Sequence, residues 1–218
     1  MSTRHVQYAI MFEDRNDAGR QLGTKLAAYR GQDAVVLALP RGGVVTAYEV
    51  ASILSLPLDI IAIRKIGHPD SPEFAIGAVD DQGTCIMDEA GVAAIDPAWL
   101  KAETARQQKE AERRSTVYRG ERKMLRIAGK VAIIVDDGIA TGLTMRLAVR
   151  FVKTQRPEKV IVAVPVAPPE SVRALYEEGA DEVIVLEPPE EFTGAVGAHY
   201  AEFHQVDDKE VIRLLESV

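Results

Sequence analysis

The segment VAIIVDDGIATGLTM, residues 131–145, contains the pattern that decides the fold. Five consecutive apolar residues, Val131–Val135, end at two adjacent carboxylates, Asp136 and Asp137. Continuous apolarity is typical of a strand that is covered on both faces, as in a parallel sheet. Small residues follow, and the pattern then continues as a helix. The segment therefore predicts a strand, a turn and a helix, with two acids at the carboxyl end of the strand.

The same alternation of strand and helix extends over most of the chain. Strands are predicted at 34–39, 58–63, 159–164 and 182–186, helices at 16–29, 44–55, 97–126, 143–155 and 169–178, and a hairpin from 75–79 and 84–87. Alternation of this kind favours a doubly wound α/β fold with a mostly parallel sheet. Because no linker is visible, residues 1–218 are predicted to form a single domain.

Composition limits the class of protein. The chain has 218 residues, 47% of them hydrophobic, and a net charge of −7, which argues against nonspecific nucleic-acid binding by the whole surface. No stretch approaches the roughly 18 apolar residues of a membrane span. The first fifteen residues reach acidic side chains too early for a signal peptide, and the single cysteine, Cys85, excludes an internal disulfide. A soluble cytoplasmic protein is expected.

The turn after the 131–135 strand is the candidate site. Ligands of open parallel sheets bind beyond the carboxyl ends of the strands. Gly138 lets the chain leave strand geometry, and the loop before the next helix offers backbone N–H groups, a positive dipole end and the hydroxyls of Thr141 and Thr144. These features suit a sugar phosphate. A solvated turn with a threonine cap is the alternative that spacing alone leaves open.

The 131–145 segment closely resembles the signature of the type I phosphoribosyltransferases, which use 5-phosphoribosyl-1-pyrophosphate (PRPP) together with Mg²⁺. The resemblance implies that Asp136 and Asp137 hold the ribose hydroxyls, directly or through the metal. It implies a 5′-phosphate site formed by Ala140, Thr141, Gly142, Leu143 and Thr144.

Two further segments resemble parts of the same family. Leu39-Pro40-Arg41-Gly42-Gly43 resembles its pyrophosphate-binding loop, which often contains a cis peptide, and Arg64-Lys65 resembles the corresponding pair of adenine phosphoribosyltransferase. The resemblance implies pyrophosphate binding by Arg41, Gly42, Gly43, Arg64 and Lys65, and catalytic roles for Asp136, Asp137, Arg41 and Lys65. Residues 67–73 are similar to the mobile loop that closes over the family's active site.

The chain also departs from some relatives. Ala140 stands where certain purine enzymes carry a carboxylate that exchanges a proton with the base, and Glu73 is a candidate substitute. The variable hood that completes the base pocket is expected from 97–126, from 188–206 or from both. Aromatic residues of the 192–200 stretch could stack on a base or simply pack on the core. His199 and His204 are interpreted as packing or surface residues.

The expected function is Mg²⁺-dependent transfer of the phosphoribosyl group from PRPP to a nitrogenous acceptor, foremost a nucleobase, with release of pyrophosphate. A homodimer without a membrane partner is expected from the family. The alternative is a regulator that senses PRPP or nucleotides and binds RNA through a basic helix. Residues 101–126 contain nine Lys or Arg and four Glu, although a solvated helix with Glu110–Arg113 and Glu110–Arg114 pairs explains this pattern as well.

Overall fold

A five-stranded parallel sheet forms the centre of the computed structural model, which describes residues 11–187 and 191–217 apart from the side chain of Glu73. Its strands lie in the order β2-β1-β6-β7-β8, and every neighbouring pair is parallel. The strands are β1 (Ala34–Ala38), β2 (Leu58–Ile60), β6 (Val131–Val135), β7 (Lys159–Val164) and β8 (Glu182–Val185). This arrangement confirms the predicted mostly parallel α/β sheet.

Helices cover both faces of the sheet. They are α1 (Arg15–Lys25), α2 (Gly42–Leu54), α3 (Glu89–Val92), α4 (Pro97–Arg119), α5 (Leu143–Thr154), α6 (Pro169–Glu177) and α7 (Asp208–Glu216). Successive residues of a strand point to opposite faces. Val36 accordingly packs in a cluster with residues of α1, α2 and α7, whereas Val35 packs in a cluster with residues of α5 and α6. The doubly wound fold is therefore confirmed.

A second, antiparallel sheet lies between β2 and α4 in the chain. Its strands, in spatial order, are β3 (Ile63–His68), β4 (Ser71–Asp80) and β5 (Cys85–Met87). The prediction of one strand over 58–63 was wrong, because the chain leaves the parallel sheet after Ile60 and Ile63 already begins β3. Residues 67–73, predicted as a loop, form the ends of β3 and β4 and the turn between them. The hairpin between β4 and β5 is confirmed.

One helical prediction also needs correction, and one helix was missed. Helix α4 ends at Arg119 rather than at 126, because Gly120 has a φ of 56° and the chain turns there. Helix α7 was not predicted, although its start is capped by Asp207 and its apolar residues Val211, Leu214 and Leu215 follow helical spacing and are buried. Across residues 11–187 and 191–217, the helices are too short or too polar to cross a membrane.

Candidate active site

The acidic pair lies where β6 ends and the backbone turns. The N–H of Asp137 donates to Oδ1 of Asp136 at 2.9 Å, and Gly138 follows with a φ of 154°. The N–H of Ile139 then donates to the carbonyl of Val166, beyond the end of β7. Burial, with a further contribution from the neighbouring Asp137 carboxylate, raises the pKa of Asp136 well above its ordinary value. The turn therefore holds two acids of unequal environment.

The loop after the acidic pair leads directly into helix α5. Gly142 adopts a left-handed conformation with a φ of 78° and precedes the first helical residue, Leu143. In the described part of the chain, no side chain caps this end, so the first N–H groups of α5 are open to a ligand. The hydroxyl of Ser171 donates to the carbonyl of Ala140 at 3.2 Å and holds the loop from behind. This geometry suits a phosphate at a helix N-terminus.

The Pro40–Gly43 loop packs directly against the acidic pair. Helix α2 begins at Gly42, and the Pro40–Arg41 peptide is cis. A Cβ on Gly42 would lie 2.0 Å from Oδ2 of Asp137, and one on Gly43 would lie 2.6 Å from Oδ1 of Asp136. The two glycines therefore allow the loop to approach the acids closely. The fold brings the Pro40–Gly43 loop and the Asp136–Asp137 pair together in one site.

A Gly43→Ala substitution tests this close approach. Alanine is favoured over glycine in a helix by about 1 kcal/mol, so propensity alone predicts stabilisation. The added Cβ would, however, also lie 2.9 Å from Cα of Asp136, which is backbone and cannot rotate away. We expect a net loss of about 1–3 kcal/mol in the free energy of unfolding, measured with urea. Ser52→Ala, at an exposed position of α2, is the control, and a stabilised Gly43→Ala variant would contradict this packing.

A cavity of about 410 Å³ opens beside the acidic pair. Its walls come from four parts of the chain: the end of β6 with the α5 loop, strand β3, strand β4 and the segment before α7. The residues that matter for chemistry on these walls are Asp136, Lys65, Thr141, Gly142, Thr144 and Phe203. Asp136, Lys65 and the predicted 5′-phosphate loop thus meet in one cavity.

The basic residues predicted to bind pyrophosphate lie in two places, the cavity wall and the side of the fold near α4 and α7. Lys65 lies on the cavity wall. Arg64, its neighbour in β3, lies on the opposite side, where its Nε donates to Oε1 of Gln107 on α4 at 3.1 Å. Burial and the nearby cations of Arg114 and Arg41 lower the pKa of Arg64. Arg41 approaches Asp208 at 3.6 Å, so Arg41 and Arg64 face the α4–α7 side.

Arg15 is a residue of the site that sequence analysis missed. Its Nε donates to Oδ2 of Asp137 at 2.6 Å, and its Nη1 donates to the carbonyl of His204 at the same distance. The guanidinium also lies 3.7 Å above the ring of Phe203. Nothing in the local pattern around residue 15 indicates this role, because its partner Asp137 is 122 residues away.

The segment before α7 lies over the site. Tyr200 donates its hydroxyl to the carbonyl of Asp137 at 2.6 Å, and burial raises the pKa of that hydroxyl. Gly138 makes room for Val196, whose Cγ1 would be 2.5 Å from a Cβ at position 138. The described part of the 188–206 segment, residues 191–206, therefore covers the acidic pair, and its role as a hood stays a prediction. Residues 188–190 lie outside the described residues.

The aromatic residues of the 192–200 stretch pack on protein. The ring of Phe192 stacks on buried His199, with centroids 5.5 Å apart, and Nδ1 of His199 contacts the carboxylate of Glu187. The N–H of Thr193 donates to Nε2 of His199 at 3.2 Å. The interpretation of His199 as a packing residue is confirmed, and His204 is exposed at the surface as predicted.

The arginines of α4 form ion pairs within the fold. Arg113 and Arg114 both pair with Glu110, at 2.7 and 2.8 Å, which confirms the two predicted pairs. Hydrogen bonds from these guanidinium groups, led by that of Arg113, lower the pKa of Glu110 to about 2. Buried Arg114 also donates to the carbonyl of Pro40 at 3.3 Å, so α4 supports the Pro40–Gly43 loop from outside.

The carboxylates of the site suit a metal that arrives with its substrate. Residues 11–187 and 191–217 contain no group of three or more His, Cys, Asp or Glu side chains arranged to hold a metal ion. Asp136 faces the cavity, whereas one oxygen of Asp137 is paired with Arg15. Mg²⁺ prefers oxygen ligands and keeps several waters, so a site with so few protein ligands fits it when phosphate oxygens supply the rest.

Comparison with known proteins identifies the family. The phosphoribosyl transferase domain matches residues 15–200. Two curated relatives from strains of Mycobacterium tuberculosis, whose names give phosphoribosyl transferase as an unverified assignment, are 42% identical over 208 residues. This match covers 94% of the chain but 46% of each relative, so the chain spans about half the length of these proteins. The crystal structure of TT1426 from Thermus thermophilus is also 42% identical, covers 94% of this chain and 98% of its own, and has a TM-score of 0.75. The chain belongs to the phosphoribosyl transferase domain family.

Proposed function

We propose that the chain transfers the phosphoribosyl group of PRPP to a nitrogenous acceptor and releases pyrophosphate. The observation that carries this proposal is the single cavity in which Asp136, Lys65 and the uncapped start of α5 meet. An anion site, a carboxylate for hydroxyls and a cation within about 410 Å³ match the three chemical parts of PRPP. Family membership supports the same reaction class.

The geometry suggests an orientation for the substrate. The 5′-phosphate would bind the open N–H groups of α5 and the hydroxyls of Thr141 and Thr144, which places the ribose hydroxyls beside Asp136. The pyrophosphate would then lie toward Lys65 and the backbone of the Pro40–Gly43 loop. Displacement of pyrophosphate leaves positive charge on the ribose and adds negative charge to the leaving group. Lys65 and the fixed N–H groups stabilise the leaving group electrostatically.

The requirement for Mg²⁺ in this reaction is also a proposal. When bound, Mg²⁺ would neutralise pyrophosphate oxygens and polarise the bond to the leaving group. Asp136 is the carboxylate placed to contact it or its waters, with Asp137 beside it. The homodimer expected from the family also remains a prediction.

The acceptor proposed here is a planar nitrogenous ring, foremost a nucleobase. The cavity wall near Asp136 includes Ile139, Ala195, Val196 and Phe203, which are apolar and suit the face of a ring. Ala140 provides no carboxylate for proton exchange with that ring, and the side chain of the candidate Glu73 lies outside the described residues. Recognition would therefore depend on shape and on backbone groups of the 194–197 turn.

The ion pairs of α4 count against the RNA-binding alternative. Arg113 and Arg114 of α4 are paired with Glu110, and Arg113 also pairs with Asp208 at 2.9 Å. A regulator would keep the same PRPP cavity, so the cavity itself does not separate the two functions. The engaged arginines leave the enzyme as the better-supported interpretation.

Calorimetry with PRPP tests the proposed function directly. In the presence of Mg²⁺, we expect saturable PRPP binding that ribose 5-phosphate competes for, because both carry the phosphate that the start of α5 would hold. Incubation with a panel of purine and pyrimidine bases should then release pyrophosphate with at least one of them. Absence of PRPP binding would contradict the proposal, and PRPP binding without turnover on any base would contradict the nucleobase acceptor.

A further inference from the structure

We propose that Arg15 is a positioning residue that acts as a built-in counter-ion for Asp137. By occupying this carboxylate, Arg15 leaves Asp136 as the carboxylate that faces the cavity, and it keeps the free site from collecting a divalent cation before the substrate arrives. The part of this inference that concerns PRPP rests on the proposed function. The ion pair and its expected effect on cations are argued from the geometry alone.

Arg15 is held in place by three different contacts. Its Nε donates to Asp137 at 2.6 Å, its Nη1 donates to the carbonyl of His204 at 2.6 Å, and the guanidinium lies 3.7 Å above Phe203. The side chains of Arg15 and Asp137 are only 11% and 16% exposed. An arginine stays charged at any pH at which the protein is folded, and a largely buried pair is screened little by salt. The positive charge is therefore a permanent part of the site.

Asp137 is fixed from its backbone side as well. The hydroxyl of Tyr200 donates to the carbonyl of Asp137, and the absence of a side chain at Gly42 leaves room for both members of the ion pair. A Cβ at position 42 would lie 2.0 Å from Oδ2 of Asp137 and 2.9 Å from Nε of Arg15. The turn thus holds Asp137 against Arg15, while its neighbour Asp136 lines the cavity.

The electrostatic consequence is that the site is less negative than its two adjacent acids suggest. Two unpaired carboxylates side by side attract divalent cations and repel a polyanion such as PRPP. Arg15 cancels one of the two charges. Removal of Arg15 should therefore strengthen the binding of a free cation and weaken the binding of PRPP, whereas general damage to the site would weaken both.

Arg15→Ala and Arg15→Gln test this inference, with Mn²⁺ alone as the cation probe and PRPP with Mg²⁺ as the substrate probe. At constant ionic strength, we expect Mn²⁺ to bind about tenfold more tightly to both variants than to the wild type, and PRPP to bind about tenfold more weakly. Arg15→Lys keeps the charge and should retain wild-type cation affinity. Arg20→Ala, at an exposed position of α1, should change neither affinity.

The two readouts also separate this inference from the proposed function. If the wild-type protein does not bind PRPP, the proposed function has failed, and the Mn²⁺ measurement alone decides the role of Arg15. Unchanged or weaker Mn²⁺ binding in both neutral variants overturns the inference. Wild-type PRPP affinity in those variants overturns it too, provided that the wild type binds PRPP. Thermal unfolding of each variant identifies any that does not fold, and Arg15→Gln, which keeps an N–H donor, is the milder of the two.

Discussion

Replacement of Asp136 by asparagine is expected to weaken PRPP binding while it raises the melting temperature at neutral pH. Asp136 lines the cavity, where it would accept hydrogen bonds from ribose hydroxyls or contact the metal. A hydrogen bond to a charged group contributes about 1.5–3 kcal/mol, so its loss should weaken binding by about ten- to a hundredfold. Calorimetry with PRPP and Mg²⁺ measures this loss.

The stability change has the opposite sign because the fold disfavours the charged form of Asp136. Burial and the Asp137 carboxylate raise the pKa of Asp136 above its ordinary value of 3.8. The folded protein then binds this proton more tightly than the unfolded chain does, so stability is lost as pH rises from about the ordinary value through the raised one. Asparagine carries no charge and avoids this loss.

The gain in melting temperature should therefore depend on pH. It should be small at pH values below the ordinary carboxyl pKa, and it should grow as the pH rises toward neutrality. Thermal unfolding of the two proteins across this range is the measurement. Glu112→Gln, which neutralises an exposed carboxylate on α4, is the control and should alter neither binding nor this pH trend. A variant that unfolds at neutral pH would show instead that Asp136 has a structural role.

The sequence predicts the parts of this protein whose signal is local. Continuous apolar runs such as Val131–Val135 identify buried parallel strands, and the acids that follow them must lie at the carboxyl edge of the sheet. The small residues around Gly142 likewise predict the turn into α5, where the structure has a left-handed backbone. These features depend on residues that are close together in the chain, so they can be predicted from a single sequence.

Most of the remaining features depend on tertiary contacts, or on sequence patterns that fit two different structures equally well. The change of sheet after Ile60 is hidden because residues on both sides of it are apolar and buried in either sheet. Arg15 and Tyr200 meet Asp137 from positions 122 and 63 residues away, and no local pattern connects them. Gly120 and the apolar spacing of α7, by contrast, were readable in the sequence as the end of one helix and the presence of another.

Asp59→Ala is expected to cause the largest loss of stability, because this buried carboxylate joins three parts of the fold. Asp59 Oδ1 accepts from Nε of Arg119 at 2.9 Å and from the N–H of Ile60, and Oδ2 accepts from the N–H of Leu125 at 2.7 Å. The side chains of Asp59 and Arg119 are 8% and 13% exposed. Removal of the carboxylate would leave a buried cation and a buried N–H without this partner, which should lower the free energy of unfolding by about 3–5 kcal/mol.

An exposed ion pair on the same helix provides the matched control. Arg106 pairs with Glu103 at 2.6 Å, but its side chain is 70% exposed, so Arg106→Ala should cost about 0.5 kcal/mol or less. Urea unfolding of both variants measures the contrast, and equal losses would contradict the role of burial. The effect of Asp59→Ala should also reach the active site, because Asp59 anchors the end of the helix from which Arg114 donates to the carbonyl of Pro40. We therefore expect weaker PRPP binding in Asp59→Ala under conditions where the variant is still folded, and wild-type binding in Arg106→Ala.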